Sequence, residues 1–588
     1  MTLFRRNHLE RTARPAALAS VYITACWIML APICNFAKLG TATYPGDARL
    51  VVWALAWDNH SVLTGLRSLA SVRALASLKS FFDANTFYPT PGALAYGEHF
   101  FGISLFSLPI YWLTRNPVLG YNVVWILSYV LAACAAHYLA WRLTQDHLAS
   151  TVAGLTYAFC FFRMHHGHGH LHLLWGFWIP LSLIAMERWI ATQSWWRLWL
   201  LVAILVLQAL SSWYQAVMIF VADALFMSWL VVLEPLLDKR WSWTWQRMSR
   251  LLIQFIAGTA AALLMVWPFA RYYHALARGS VDEMANASAD LTAFLMPPEN
   301  TYLGQWLIRS GVKGPRWIWG ELTLYLGWTT LALGIAGAAL AVRGPEKMFR
   351  RFRYFVLLAL VAFALAAGPS AREVADNAWH WSAFGLLARI PGANLFRAPA
   401  RFSALLTLAL AMLAGGACAR LHAQFGRAGR LATIIAIPVI LFEFYVVDFP
   451  AGRPVPSPVP AVYRLIASLP AGAIVSLPDY AATPQWFKEA DYQFFSTAHW
   501  HPIANGYSRA TPAGFTDRME RLATFPDAAA LASLRETRIR YVVVHADQYP
   551  AGAGVVAQAL SESALTPMGS GCRLLARFGA DYLFAIDE

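Results

Sequence analysis

Apolar runs separated by short polar breaks recur along most of this chain. The first is residues 16–36 (AALASVYITACWIMLAPICNF); others lie near 119–141, 150–164, 173–191, 197–212, 214–233, 251–270, 321–342, 354–370, 402–420 and 431–448. A helix needs roughly 20 mostly apolar residues to cross a bilayer. The pattern therefore predicts an all-α membrane bundle of about 11 transmembrane helices. Residues 100–114 (FFGISLFSLPIYWLT) are apolar but short; they predict a helix lying on or dipping into the outer leaflet. WALAWDNH, in the same first loop (37–118), reads as a stretch of amphipathic interfacial helix. Past Phe449 the pattern changes. A Pro-rich linker (FPAGRPVPSPVP) leads into strand-like runs at 473–478 (AIVSLP), 539–546 (IRYVVVHA) and 581–587 (DYLFAID), with helix-like AALASLRET and GVVAQALSES between them. This predicts a small C-terminal α/β soluble domain. The expected division is a membrane domain over 1–449 and an extracytoplasmic domain over 450–588.

Composition agrees. The chain is 58% hydrophobic and 13% charged, against roughly 25% charged in soluble domains. Several of its 26 tryptophans stand near the ends of the apolar runs (Trp27, Trp141, Trp195, Trp196, Trp241, Trp243, Trp245), as interfacial aromatic belts do. The net charge of +14 gathers in short loops: Arg142–His147, Arg188–Arg197, Lys239–Arg250, Arg343–Arg353 and Arg420–Arg430. The positive-inside rule explains that excess, and no motif supports nucleic-acid binding. If 100–114 does not cross, all these loops fall on the cytoplasmic side. The first loop, His165–His172, residues 271–320, residues 371–401 and the C-terminal domain then fall outside. The basic MTLFRRNHLERTAR has no A-x-A cleavage site after it and reads as an uncleaved signal-anchor with a cytoplasmic N-terminus. A multi-pass membrane protein is expected. The six cysteines form no CxxC pair and imply neither a disulfide framework nor a cysteine metal site. There is no P-loop, dinucleotide fingerprint or nucleophile elbow.

Chemistry then rests on polar residues in the outer segments. Asp47 follows Pro45-Gly46 just past the first run; a carboxylate there is placed to act as a general base or to cap the helix that follows. Glu98-His99 closes the first loop and is able to bind a divalent metal, orient a sugar or cap residues 100–114. Asp58-Asn59-His60 is a weaker signal. RMHHGHGHLHLL carries His165, His166, His168, His170 and His172 in eight residues, a tract open to metal binding, to substrate contact with Arg163, or to no ligand at all. A metal there (Zn, Mn or Mg) would be held by His168 and His170, with Glu98 or His99 from the first loop. Arg389, Arg397 and Arg401 stand against the positive-inside trend, and guanidinium groups suit a lipid phosphate or diphosphate; snorkelling arginines are the bland alternative. Arg271, with Tyr272, Tyr273 and His274, forms a second outer group. In the soluble segment, His499, Trp500, His501, Asn505 and Tyr507 (STAHWHPIANGYS) make a polar-aromatic cluster of a kind that stacks on sugars.

The runs FDANTFYPTPGALAYGEHFFGISLFSLPIYWLTRNPVLGYN, LTYAFCFFRMHHGHGHLHLLWGFWIPLSL, SADLTAFLMPPEN, ELTLYLGW, NLFRAPARF, STAHWHPIANGYS and RYVVVHADQYP resemble a family of large bacterial membrane proteins over almost the whole chain. That family is similar to the GT-C superfamily of polyprenyl-phosphate-sugar glycosyltransferases. The resemblance implies a catalytic acid in the first outer loop, which falls on Asp47, and transfer of a sugar from a polyprenyl-phosphate donor to a glycan, lipid or protein acceptor. Superfamily members commonly carry a second acid in the next outer loop; here that loop holds histidines and no carboxylate. Two other readings stand beside the enzyme. A lipid-linked-glycan transporter or flippase would need ionisable residues in mid-membrane, of which Asp223 and His137 are the clearest. An assembly scaffold that keeps the fold without the activity draws on the missing second acid.

Overall fold

The computed structural model describes residues 8–30, 46–68, 77–238, 243–273, 280–289, 291–312, 322, 324–344, 350–369, 379–390, 396–447, 459–549 and 572–587. Most of the Pro-rich linker and the helix-like GVVAQALSES lie outside these residues, as do Trp241 and His274. The chain forms two compact units. The first comprises Met1–Cys34, Val124–Trp267 and Ala277–Ala451; the second comprises Asn35–Val123, Pro268–Leu276 and Gly452–Glu588.

The longer helices, in chain order, are α1 (His8–Met29), α2 (Asp47–Ser68), α3 (Phe101–Thr114), α4 (Pro117–Thr144), α5 (His147–Phe159), α6 (Trp178–Thr192), α7 (Trp195–Ser211), α8 (Trp213–Ser228), α9 (Trp245–Ala270), α10 (Trp328–Arg343), α11 (Arg353–Ala367), α12 (Ser403–Phe425) and α13 (Arg427–Glu443). Each apolar run contains one of them. Pro117–Thr144, Leu171–Thr192, Trp213–Leu237, Trp245–Tyr273 and Pro399–Phe425 are long and apolar enough to cross a membrane. The protein is therefore a polytopic membrane protein on its described helices alone, and the other runs form helices below that length or hydropathy. α3, with 14 residues, is about 21 Å long at 1.5 Å per residue, short of a crossing of roughly 30 Å.

In the first unit α12 is the axis. Its sequence SALLTLALAMLAGGACARLHAQF is buried almost throughout, and its small residues let neighbouring backbones approach closely. α10 makes the tightest approach: a Cβ at Gly337 would lie 2.0 Å from the Leu413 carbonyl oxygen. The run expected over 150–164 is not one helix. The Asp146 side chain caps α5 by accepting from the Ala149 N–H; α5 ends at Phe159, the chain turns at Cys160, and a short helix resumes at Phe161–His166.

The second unit joins the first loop to the C-terminal segment. Four strands, β1 (Ala473–Leu477), β2 (Ile539–His545), β3 (Cys572–Phe578) and β4 (Asp581–Ile586), form a sheet in the order β1-β2-β4-β3. β1 and β2 are parallel, and the other two pairs are antiparallel. A parallel pair needs a crossover, and this one carries α14 (Glu489–Phe495), α15 (Phe515–Leu522) and α16 (Ala528–Glu536). β1, β2 and β4 are the strands expected from sequence; β3 (CRLLARF) is an addition. It is a half-exposed edge strand with two arginines, and charge of this kind guards an edge while blurring the apolar signal. The sheet continues past β1. The Ile474 N–H donates to the Pro502 carbonyl, and the Ala504 N–H returns to the Ile474 carbonyl. On the far side of this segment the Ile503 N–H donates to the Asn85 carbonyl, and the Phe87 and Tyr88 N–H groups donate to Asn505 and Ile503. FDANTFYP and HPIANGYS, over 400 residues apart in sequence, are thus sewn together by backbone hydrogen bonds.

Candidate functional site

Asp47 is the first residue of α2 and is half-buried. An acid in the first turn of a helix meets the positive end of the helix dipole. The Tyr507 hydroxyl donates to its Oδ1 at 2.7 Å. Gly46 makes this possible: a Cβ there would lie 2.6 Å from the Tyr507 ring and hydroxyl. Burial and the Asp47 carboxylate hold the Tyr507 phenol well above its usual range, so it stays a protonated donor. The Tyr507 ring stacks on Trp486 at 4.6 Å, and its N–H donates to Gln493 Oε1 at 3.1 Å. Two residues along, Arg49 pairs with Asp491. Asp47 and Tyr507, predicted separately, are brought together.

Other candidates in this unit face inward. The Asn505 amide donates to the Ser476 carbonyl (2.9 Å) and to Glu489 (3.0 Å), and its oxygen accepts the Ser476 N–H (2.7 Å). These bonds tie it to β1. Burial pushes Glu489 up to about 8. His499 is buried, accepts the His501 N–H at 3.0 Å and is pushed down to about 3 by burial. His99 accepts the Phe101 N–H at 3.1 Å at the start of α3. It is enclosed by Phe82, Phe269 and Tyr273 and is also held down to about 3 by burial. Glu98 beside it is half-buried. Asp58 is fully buried and pushed well above the usual carboxylate range, while the neighbouring Asn59 amide donates to Ser107 of α3 at 2.9 Å. Arg271 is exposed and lies over the Tyr272 ring at 5.1 Å.

In the first unit the histidine tract is not a solvated loop. His166 and His168 are buried, and His165, His170 and His172 are half-buried. Arg163, expected to meet substrate, is enclosed. Its Nε donates to the Ala158 carbonyl (3.0 Å), and its two terminal nitrogens donate to the Leu174 (2.6 Å) and Ser128 (2.8 Å) carbonyls. The reason is the break at Cys160. Irregular backbone inside a membrane bundle needs partners for every polar group. Arg163 supplies two there, to Ala158 and Leu174, and a third to Ser128 within α4; Trp125, Tyr129, Tyr157 and Gln215 cap the carbonyls of Gly167, Arg163, Gly176 and Leu173. His166 Nδ1 and His170 Nδ1 are 3.0 Å apart. Burial and the neighbouring imidazoles hold His168 down to about 3. The tentative metal set of His168, His170 and Glu98 gains no support: among the described residues, no three His, Cys, Asp or Glu side chains are grouped to hold an ion.

The arginines divide. Arg397 pairs with Glu283. Arg401, in the turn that opens α12, lies over the Tyr214 ring at 4.3 Å, and Tyr214 in turn meets the rings of His172 (6.1 Å) and Phe396 (5.1 Å). Tyr214 was missed from sequence. Its signal is the polar interruption SSWYQ between two apolar runs.

Solved structures share the fold. The arabinofuranosyltransferase AftD from mycobacteria matches with a TM-score of 0.56 at 16% identity, over 98% of this chain and 40% of AftD. This chain thus spans about two fifths of that protein. The oligosaccharyltransferase of Archaeoglobus fulgidus in its apo form matches with a TM-score of 0.50 at 11% identity, over 91% of this chain and 70% of that one. At these identities the likeness establishes the fold alone, one shared with these two transferases, in line with the architecture expected from the sequence. No curated protein sequence matches the chain. A family model described as a domain of unknown function (DUF6311) matches residues 104–441, more than half the chain, and the protein belongs to that family.

Proposed function

We propose that this protein is an inverting membrane glycosyltransferase. It moves a sugar from a polyprenyl-phosphate donor to a glycan, lipid or protein acceptor at the outer face of the bacterial plasma membrane. The observation that carries this reading is Asp47: a half-buried carboxylate at the head of α2, held by a phenol from the C-terminal segment, in a chain with a glycosyltransferase fold. The acceptor oxygen attacks the anomeric carbon, its proton passes to the Asp47 carboxylate, and the bond from that carbon to the phosphate oxygen breaks. The phosphate leaves with the bonding pair. Stabilising that developing charge calls for a preorganised cation. Within the first unit Arg401, which lies over the Tyr214 ring, is proposed as a guanidinium that binds lipid phosphate. The buried His166 and His168 serve the fold in this reading.

The test is transfer from a panel of undecaprenyl-phosphate sugars by the purified chain. Asp47→Asn keeps an oxygen for Tyr507 to donate to and removes the base. A loss of roughly 10²-fold or more is expected, the usual range for general-base catalysis, with undecaprenyl-phosphate affinity intact. Arg401→Gln is expected to weaken that affinity by roughly tenfold or more, the worth of a hydrogen bond to a charged group. Transfer at wild-type rates by Asp47→Asn would remove Asp47 from the mechanism.

A further inference from the structure

Three aromatic rings of the second unit meet outside the Asp47 site. Trp57 and His60 lie on α2, and Trp500 comes from the C-terminal segment. The His60 and Trp500 rings stack at 4.2 Å and 20°. Trp57 lies 5.9 Å from Trp500 and 6.3 Å from His60. All three are half-buried, so each ring keeps open surface.

Their placement is held from several sides. Trp57 Nε1 donates to the Phe81 carbonyl at 2.8 Å. Trp500 has φ 59°, a left-handed conformation that is a true outlier for a bulky residue. The backbone on either side enforces it. The Trp500 N–H donates to the Ser496 carbonyl at 2.8 Å, the His501 N–H donates to His499 Nδ1 at 3.0 Å, and the Asn85 amide donates to the His501 carbonyl at 3.3 Å. Strain of this kind persists only where the surroundings over-determine it, and it gathers at ligand sites. Tryptophans on the apolar helices are far more open: Trp112, Trp196, Trp245 and Trp267 are 59%, 61%, 85% and 66% exposed.

We propose that Trp57, His60 and Trp500 form a platform for a sugar ring of the acceptor. The apolar C–H face of a saccharide packs on indole, which offers a large rigid surface at low entropic cost, while its hydroxyls reach the polar edge of the imidazole. Trp57 stands ten residues beyond Asp47 on the same helix, roughly 15 Å at the α-helical rise. A short oligosaccharide covers that distance. The acceptor assignment rests on the transferase reading; saccharide binding by the platform does not.

The test uses the full-length protein in detergent on an array of short hexose and pentose oligosaccharides. The wild type is expected to bind a subset of them. Trp500→Ala and Trp57→Ala are each expected to lose roughly tenfold or more of that binding, as buried aromatic anchors do, while Trp500→Phe keeps most of it. Trp500→Gly guards against misfolding. Glycine takes the left-handed backbone without strain, so its melting temperature should stay within about 2 °C of wild type, while binding is lost. Asp47→Asn should bind as wild type does and fail to transfer. Loss of binding in Trp500→Ala with no transfer from any donor would support the platform and sink the transferase reading. An array that stays blank, or binding that survives Trp500→Ala, overturns the proposal and leaves the rings as interfacial anchors.

Discussion

The histidine tract and the head of α2 are both polar islands in apolar sequence, yet they are built in opposite ways. In the tract, Arg163 and the side chains of Trp125, Tyr129, Tyr157 and Gln215 turn inward onto backbone carbonyls. At α2, the backbone of Gly46-Asp47 feeds straight into a regular helix and needs no such help, so Asp47 stays half-buried with a phenol on it. Under the proposed function, density of polar residues therefore does not mark the chemistry. What separates the two is whether nearby irregular backbone claims the polar groups.

The sharpest way to break this comparison is at Arg163. Arg163→Met removes the donor of the Ala158 and Leu174 carbonyls at the break, at about 1–3 kcal/mol each, against a total stability of about 5–15 kcal/mol. The variant is expected to fail to accumulate as a monodisperse protein on size exclusion. Arg163→Lys should rescue it only partly, because a compact ammonium cannot span the fork. If Arg163→Met folds normally and loses only lipid-phosphate affinity, the inward assignment is wrong and the tract joins the site.

Acid gives a second measure. His168 in the tract, and His99 and His499 in the other unit, are each held near 3 by burial, from an ordinary 6.5. Between those values the unfolded chain binds more protons than the folded one. Stability is then full above about pH 6.5 and falls on acidification, by about 1.4 kcal/mol per pH unit per group. Thermal melts between pH 7 and 4.5 should show this fall, with a shallower slope in His168→Gln. An unchanged slope in that variant would mean that His168 already titrates in the folded protein, as a solvated loop would. The same neutrality counts against any gain in transfer at low pH from imidazolium at His166 or His168.

Much of the fold was legible because apolar runs and period-two strands are local signals. α4, α7, α9 and α12 follow from hydrophobicity, and β1, β2 and β4 from short runs of Ile, Val, Leu and aromatic residues. The break at Cys160 was not legible: TYAFCFF contains no proline or glycine, and the break is maintained by partners as distant as Ser128 and Leu174. The inward hydrogen bonding of Asn505 and His499 was not legible for a related reason. Their polar atoms are claimed by Ser476, Glu489 and His501, and composition does not reveal which way a side chain turns. Asp47 and Tyr507 were each visible from their local motifs, but a hydrogen bond spanning 460 positions leaves no local trace.

That hydrogen bond supplies the finest test of the contrast, because it is the one feature that distinguishes Asp47 from an ordinary first-turn acid. Tyr507→Phe deletes the hydroxyl and keeps the ring, so its stacking on Trp486 at 4.6 Å is retained. One hydrogen bond to a charged partner is worth about 1.5–3 kcal/mol when it counts fully and about 1 kcal/mol in the typical net case. At half-buried Asp47 the lower figure applies, which is a loss of roughly fivefold in kcat. A purely structural tyrosine would give a similar loss through partial unfolding, so rate alone does not decide. The pH profile does. Tyr507 donates more strongly to the ionised carboxylate than to the neutral acid, so its removal makes the ionised form less favourable. The acid limb of the kcat/KM profile should therefore move to higher pH in Tyr507→Phe, while Trp486→Leu, which loosens the ring and leaves the donor in place, should lower kcat without moving the limb. If the limb stays put in Tyr507→Phe, the phenol merely packs against Gly46 and the asymmetry between the two polar islands lies in Asp47 alone.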